Sequence, residues 1–115
     1  LIFQGDITFE YGQAAAMQIL KRGDVGQILA TADILARGVI NCLQSSGKKI
    51  PEEYSVMGFD DTYQSRNMYP RLTTVGQNIS DRGEMAGRLI LKIINHEKVE
   101  KENYMDCHII EGDTT

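Results

Sequence analysis

Tryptophan is absent, proline occurs only at Pro51 and Pro70, and cysteine only at Cys42 and Cys107. Two distant cysteines without a Cys-x-x-Cys spacing exclude a disulfide scaffold or a zinc ribbon, and reduced thiols in the cytoplasm are the expectation. Positive charge is also scarce: 12 Lys and Arg stand against 16 Asp and Glu, a net charge of −4. A segment of this balance does not grip nucleic acid, because neutralising phosphates takes clustered Lys and Arg. The adjacent basic pairs Lys21-Arg22 and Lys48-Lys49 fall at helix ends, where they complement the helix dipole. No secretory leader is in view, and Gly83-x-x-x-Gly87 lies in a helix too polar to span a membrane. Catalytic hardware is missing as well. There is no Gly-x-Ser-x-Gly and no phosphate-cradling glycine loop, and His96 and His108 lack spaced partners for a metal. Neither a metal nor a cofactor is expected, and the chain does not read as an enzyme.

With 42% apolar and 24% charged residues, the 115-residue chain has the composition of one ordinary globular domain. It opens inside an apparent strand, Leu1 to Phe3, without an initiator methionine, which is expected of a piece of a longer protein. Thr8 to Leu20 reads as a helix stopped by Gly23, and Val25 to Thr31 as a buried strand. Asp33 is placed to cap a helix running to Ser46, with Gly47 as its C′ residue. That helix carries Leu35, Ala36, Val39, Ile40 and Leu43, an apolar surface wide enough for a sheet and a second partner. Tyr54 to Gly58 supplies a third strand, so the order is β-α-β-α-β with right-handed parallel crossovers. The fold class is α/β, a parallel sheet flanked by helices.

Leu72 to Val75 reads as a short strand, followed by Ser80 as N-cap of a helix bearing Met85, Ala86, Leu89, Ile90, Ile93 and Ile94. Burying three such side chains is worth on the order of 5 to 8 kcal/mol, so this helix is expected to pack on something substantial. Glu97 to Asn103 is a charged surface loop, and Tyr104 to Ile110 a closing strand.

Ligands of parallel sheets collect beyond the carboxyl ends of the strands. Four positions qualify: Asp6-Ile7, Ala32-Asp33, Phe59-Asp60-Asp61 and Gly76-Gln77. Asp60 and Asp61 have the chemistry for acid/base work or a hard cation, but no third carboxylate or nucleophile accompanies them. Binding of ligand hydroxyls or capping of a turn fits better. Asp33 reads as a plain N-cap.

Val56-Met-Gly-Phe-Asp-Asp61, then Pro70-Arg-Leu-Thr-Thr-Val75 with Gln77, Gly83 and Ala86, resembles the core signature of LacI/GalR-type transcriptional regulators. Gly5-Asp6, Gly12, Ala32-Asp33, Ala36, Gly38, Gly47 and Ile50-Pro51 fit the same pattern, so the resemblance covers nearly the whole chain. It implies the C-terminal lobe of a periplasmic-binding-protein-like type I fold within a single partial domain, 1–115. Residues 1–76 and 104–115 would form that lobe, and the helix 80–96 would pack on the N-terminal lobe of the intact protein.

The same resemblance implies an effector-sensing module of a repressor that binds a sugar or sugar-like molecule. Operator DNA would be held only by a helix-turn-helix head outside this chain. Its effector site maps to Asp60, Gln77, Ile7 and Ala32. Ile7 replaces the aromatic ring that relatives often stack, and Ala32 the Asn that many use to orient a hydroxyl. For a homodimer or higher oligomer it points to Arg37 and Ile40, on the exposed face of their helix, and to Met68 and Tyr69. A periplasmic-type sugar receptor shares the fold and is the alternative.

Overall fold

The structure is a computed structural model that describes all of residues 1–115. Helix α1 spans Phe9–Arg22, β1 Gln27–Leu29, α2 Asp33–Ser45, β2 Ser55–Met57, α3 Tyr63–Arg66, β3 Thr74–Gly76, α4 Ile79–Ile94 and β4 His108–Ile110. β1 and β2 pair in parallel, with Ile28 opposite Val56. Parallel contact continues beyond β2 through Met57 with Thr73 and Asp60 with Gly76, while β4 returns antiparallel to β3.

Local chemistry explains the helix ends. Thr8 caps α1 by accepting from the Tyr11 amide at 3.1 Å, and Gly23 closes it in the left-handed region at φ 72°. Gly47, at φ 74°, takes the same role just past α2. Where α1 crosses α2 two glycines face each other's backbone. A Cβ on Gly12 would stand 2.3 Å from the Leu35 carbonyl oxygen, and one on Gly38 2.1 Å from that of Phe9. Their absence lets the helices close up over Ala16, Ile19, Ala36, Val39, Ile40 and Leu43, which join Tyr54, Val56 and Leu72 in the core.

Several expectations are corrected. Leu1 to Phe3 forms no strand: it pairs with no neighbour, and with Ile28 and Leu29 it lines a hollow of about 480 Å³. Asp33 does not cap α2. Ala32 holds the cap position in extended geometry with no side-chain cap bond, and Asp33 is the first helical residue, wholly buried. Ser80 lies inside the first turn of α4, which starts after a left-handed Asn78. The closing strand is confined to His108–Ile110. Ile40, assigned to an exposed face, is 1% exposed: it lies on the same side of α2 as Asp33, Ala36 and Leu43 and belongs to the core that includes Tyr54, Val56 and Leu72.

The apolar stripe of α4 is largely uncovered; only Met85 and Leu89 are half-buried, lining a hollow with Tyr104 and Met105. None of its residues is buried, and Ile90, Leu91, Ile93 and Ile94 are each more than half exposed. No helix is long and apolar enough to cross a membrane.

Candidate ligand-binding site

The carboxyl end of β2 delivers Gly58, Phe59, Asp60 and Asp61 to one rim of the sheet. Gly58 is buried, and a Cβ there would lie 2.5 Å from Asp33 Oδ1, so only glycine admits this carboxylate. The chain then turns through two non-glycine residues of positive φ, Asp60 at 116° and Asp61 at 55°. Such geometry costs on the order of 1–3 kcal/mol per residue and persists only where surrounding bonds hold it. Those bonds are present: the Asp60 amide donates to the Val75 carbonyl at 3.0 Å, and Thr62 is anchored on Asp33.

The two neighbouring acids have different surroundings. Arg66 grips Asp61 in a bidentate pair, its Nε 2.9 Å from Oδ1, and the bonds and charge of Asp61 raise the guanidinium pKa further. Asp60 is half-buried and meets no cation; its Oδ1 accepts from Gln77 Nε2 at 2.7 Å. Gln77 Oε1 accepts in turn from Arg82 Nη1. The Gln77 amide is therefore oriented without ambiguity, because a carboxylate only accepts and a guanidinium only donates. Asp60 and Asp61 line a hollow of about 210 Å³ with Arg66, Asn78, Ile79, Ser80 and Asp81.

Of the residues expected at the site, Asp60 and Gln77 are brought together. Ala32 is buried at the same rim, where the amide of Asp33, the next residue, donates to the Phe59 carbonyl at 2.8 Å. Ile7 is 65% exposed and, like Ala32, lines no part of the hollow; Gln77 too lies outside it, lining the next hollow with Arg82. Arg37 is half-buried, Met68 packs against the core and Tyr69 is 91% exposed.

Sequence reading missed Arg66 and Arg82, whose partners lie five residues away in strained or turning backbone. It also missed the work of Asp33. That carboxylate accepts from the Thr62 amide at 2.7 Å, Thr62 Oγ1 at 3.1 Å, Ser65 Oγ at 2.5 Å and Thr74 Oγ1 at 2.6 Å. A cap and a buried hub both appear as one Asp before a helix. Chemically the rim offers acceptors and donors for a polyhydroxylated molecule. The buried hydroxyls of Ser65 and Thr74 both donate to the Asp33 carboxylate.

A periplasmic binding protein-like domain model matches residues 2–115. Among curated proteins, the HTH-type transcriptional regulator RegA of Clostridium acetobutylicum is 37% identical over 97 residues, 84% of this chain and 29% of RegA. The crystal structure of the transcription regulator CcpA of Lactococcus lactis superposes with a TM-score of 0.95 at 29% identity, covering 100% of this chain and 42% of that one. A LacI family regulator from Enterococcus faecium with bound ribose gives 0.88 at 28% identity, covering 94% of this chain and 40% of the other. This chain thus spans about a third of the length of such regulators, whose family members are not enzymes. It belongs to the periplasmic binding protein-like domain family, in the form homologous to LacI-type transcriptional regulators.

Proposed function

We propose that this chain is the effector-sensing part of a LacI-type repressor and that it binds a sugar-like small molecule at Asp60 and Gln77. The observation that carries the reading is the Asp60 carboxylate: half-buried at a strand end, free of any cation, and backed by the Gln77–Arg82 chain. Such an oxygen pair accepts from vicinal hydroxyls, and each charge-assisted bond is worth about 1.5–3 kcal/mol. The ribose-bound relative supports a sugar as the ligand class. Ile7 and Ala32, which stay outside the hollow beside Asp60, would contribute no hydrogen bond.

In the complete regulator, α4 would lay its apolar stripe on the N-terminal lobe, residues 1–76 and 104–115 forming the other. Arg37, Met68 and Tyr69 would face a second subunit. Effector bound between the lobes would shift an open and closed equilibrium that sets how helix-turn-helix heads meet operator DNA in the cytoplasm. The similarity to RegA and CcpA favours this over a transport receptor.

The test is a calorimetric panel of ribose, glucose, cellobiose and their phosphates on the complete regulator, with Asp60→Asn beside the wild type. A ligand that binds the wild type and loses tenfold or more in affinity in the variant is the expected result. Equal binding by both proteins would remove Asp60 from the site.

A further inference from the structure

Asp33 bonds to both sides of the strained turn. Its amide donates to the Phe59 carbonyl at 2.8 Å, and its Oδ2 accepts from the Thr62 amide at 2.7 Å. Between Phe59 and Thr62 lie only Asp60 and Asp61, the two consecutive residues of positive φ. We propose that Asp33 is a positioning residue for the effector site, a clamp that holds Asp60 in its left-handed conformation with its carboxylate turned to Gln77.

The assignment rests on Asp60 as the ligand-binding group, but its geometry stands apart from that reading. A carboxylate that is 0% exposed takes four hydrogen bonds, three of them from Thr62 and Ser65 immediately beyond the turn. The fourth, from Thr74 Oγ1 at 2.6 Å, comes from β3, the strand that leads to Gln77. One side chain therefore sets the relative placement of the two segments whose ends carry Asp60 and Gln77. All four donors are satisfied by one acceptor group that has no donor of its own, which makes the carboxylate form, rather than an amide, the matching partner. The clamp is reinforced by shape. Gly58 leaves room for Oδ1, and any side chain there would collide with it.

A residue that merely fills the core would lower stability without singling out Asp60. The clamp separates the two, because its bonds fall on different sides. Ser65→Ala and Thr62→Val weaken the turn side of the Asp33 carboxylate, whereas Thr74→Val weakens the β3 side. Hydrogen exchange by NMR on the complete regulator reads the Asp60 amide, bonded to Val75, against the Val56 amide, bonded to Thr114.

Ser65→Ala and Thr62→Val are expected to speed exchange at Asp60 at least tenfold more than at Val56, and Thr74→Val, which loosens β3 beside the Asp60–Val75 bond, is expected to act in the same direction. In the same turn-side variants D-ribose, or the sugar that binds best in the panel above, loses about tenfold in affinity. Exchange at Asp60 that merely tracks Val56 overturns the clamp, and so does a loosened Asp60 amide with unchanged sugar affinity. Failure of every sugar to bind the wild type overturns the Asp60 reading instead, while the exchange result still tests the clamp.

Discussion

Arg66 holds Asp61 through two hydrogen bonds, and Asp60, the residue before it, has no cation. Two acids adjacent in sequence thereby differ: one is paired within the protein, and the other meets only a neutral amide. Charge neutralised within the protein is unavailable to a ligand, and a carboxylate whose protein donor is a neutral amide keeps its full charge for one.

That division predicts opposite outcomes for the same chemical change. Asp61→Asn should lower effector affinity by less than about threefold, whereas Asp60→Asn should lower it tenfold or more. Isothermal titration of both variants with one sugar checks the ratio. A larger loss from Asp61 would reverse the roles.

The crossing of α1 and α2 predicts an inverted glycine effect. In an open helix Gly→Ala usually stabilises by about 0.5–1 kcal/mol. At Gly12 or Gly38 the new methyl would meet a carbonyl oxygen within 2.3 Å, so the helices must part. A net loss of about 1–3 kcal/mol is expected from urea unfolding, and a gain would show that the crossing is loose. Gly83 meets nothing within 4 Å, so Gly83→Ala serves as the control that should stabilise.

Glu53 ties down the turn after α2, accepting from Lys48 Nζ at 2.9 Å and from the Lys49 amide at 2.8 Å. The bond from Lys48, then that from Lys49, hold its carboxyl below the usual 4.5. A folded-state pKa below the unfolded one contributes stability that is complete above about pH 4.5. That contribution is lost as pH falls through the lower folded value. Melting temperatures measured from pH 7 to pH 3 should therefore fall more steeply in the wild type than in Glu53→Gln. Parallel curves would mean the turn ignores this carboxylate.

The α4 stripe predicts association. Ile90, Leu91, Ile93 and Ile94 are all more than half exposed, and a cluster of this kind seeks a cover. The 115-residue chain on its own should run as a dimer or larger species in light scattering, and Ile90→Asp with Ile94→Asp should return it to a monomer. A monomeric wild-type chain would contradict this.

Much of the site is legible in the amino-acid sequence. Asp60 and Gln77 stand directly after strand-like runs, and the rule that ligands gather at those ends applies without knowing the pairing. The helix stops at Gly23 and Gly47 are equally plain, since each follows an apolar-periodic stretch and tolerates positive φ. Asp33 shows where such reading stops. Local sequence places it at a helix start, but whether its side chain turns back to the helix amides or inward to Thr62, Ser65 and Thr74 depends on segments 29 to 41 residues away.

The α/β class and most of the helices and strands were written into the sequence, because they depend on periodicity and on residues with strong local preferences. Tertiary structure alone decided three things. Ile40 turns inward because its face of α2 joins the core with Tyr54, Val56 and Leu72, while Gly12 and Gly38 let α1 and α2 touch on another side. Leu1 to Phe3 is no strand because no neighbouring strand pairs with it, whatever its apolar run suggests. The acids part company because Arg66 reaches Asp61 and Gln77 reaches Asp60, contacts that only the folded turn and the neighbouring strand create.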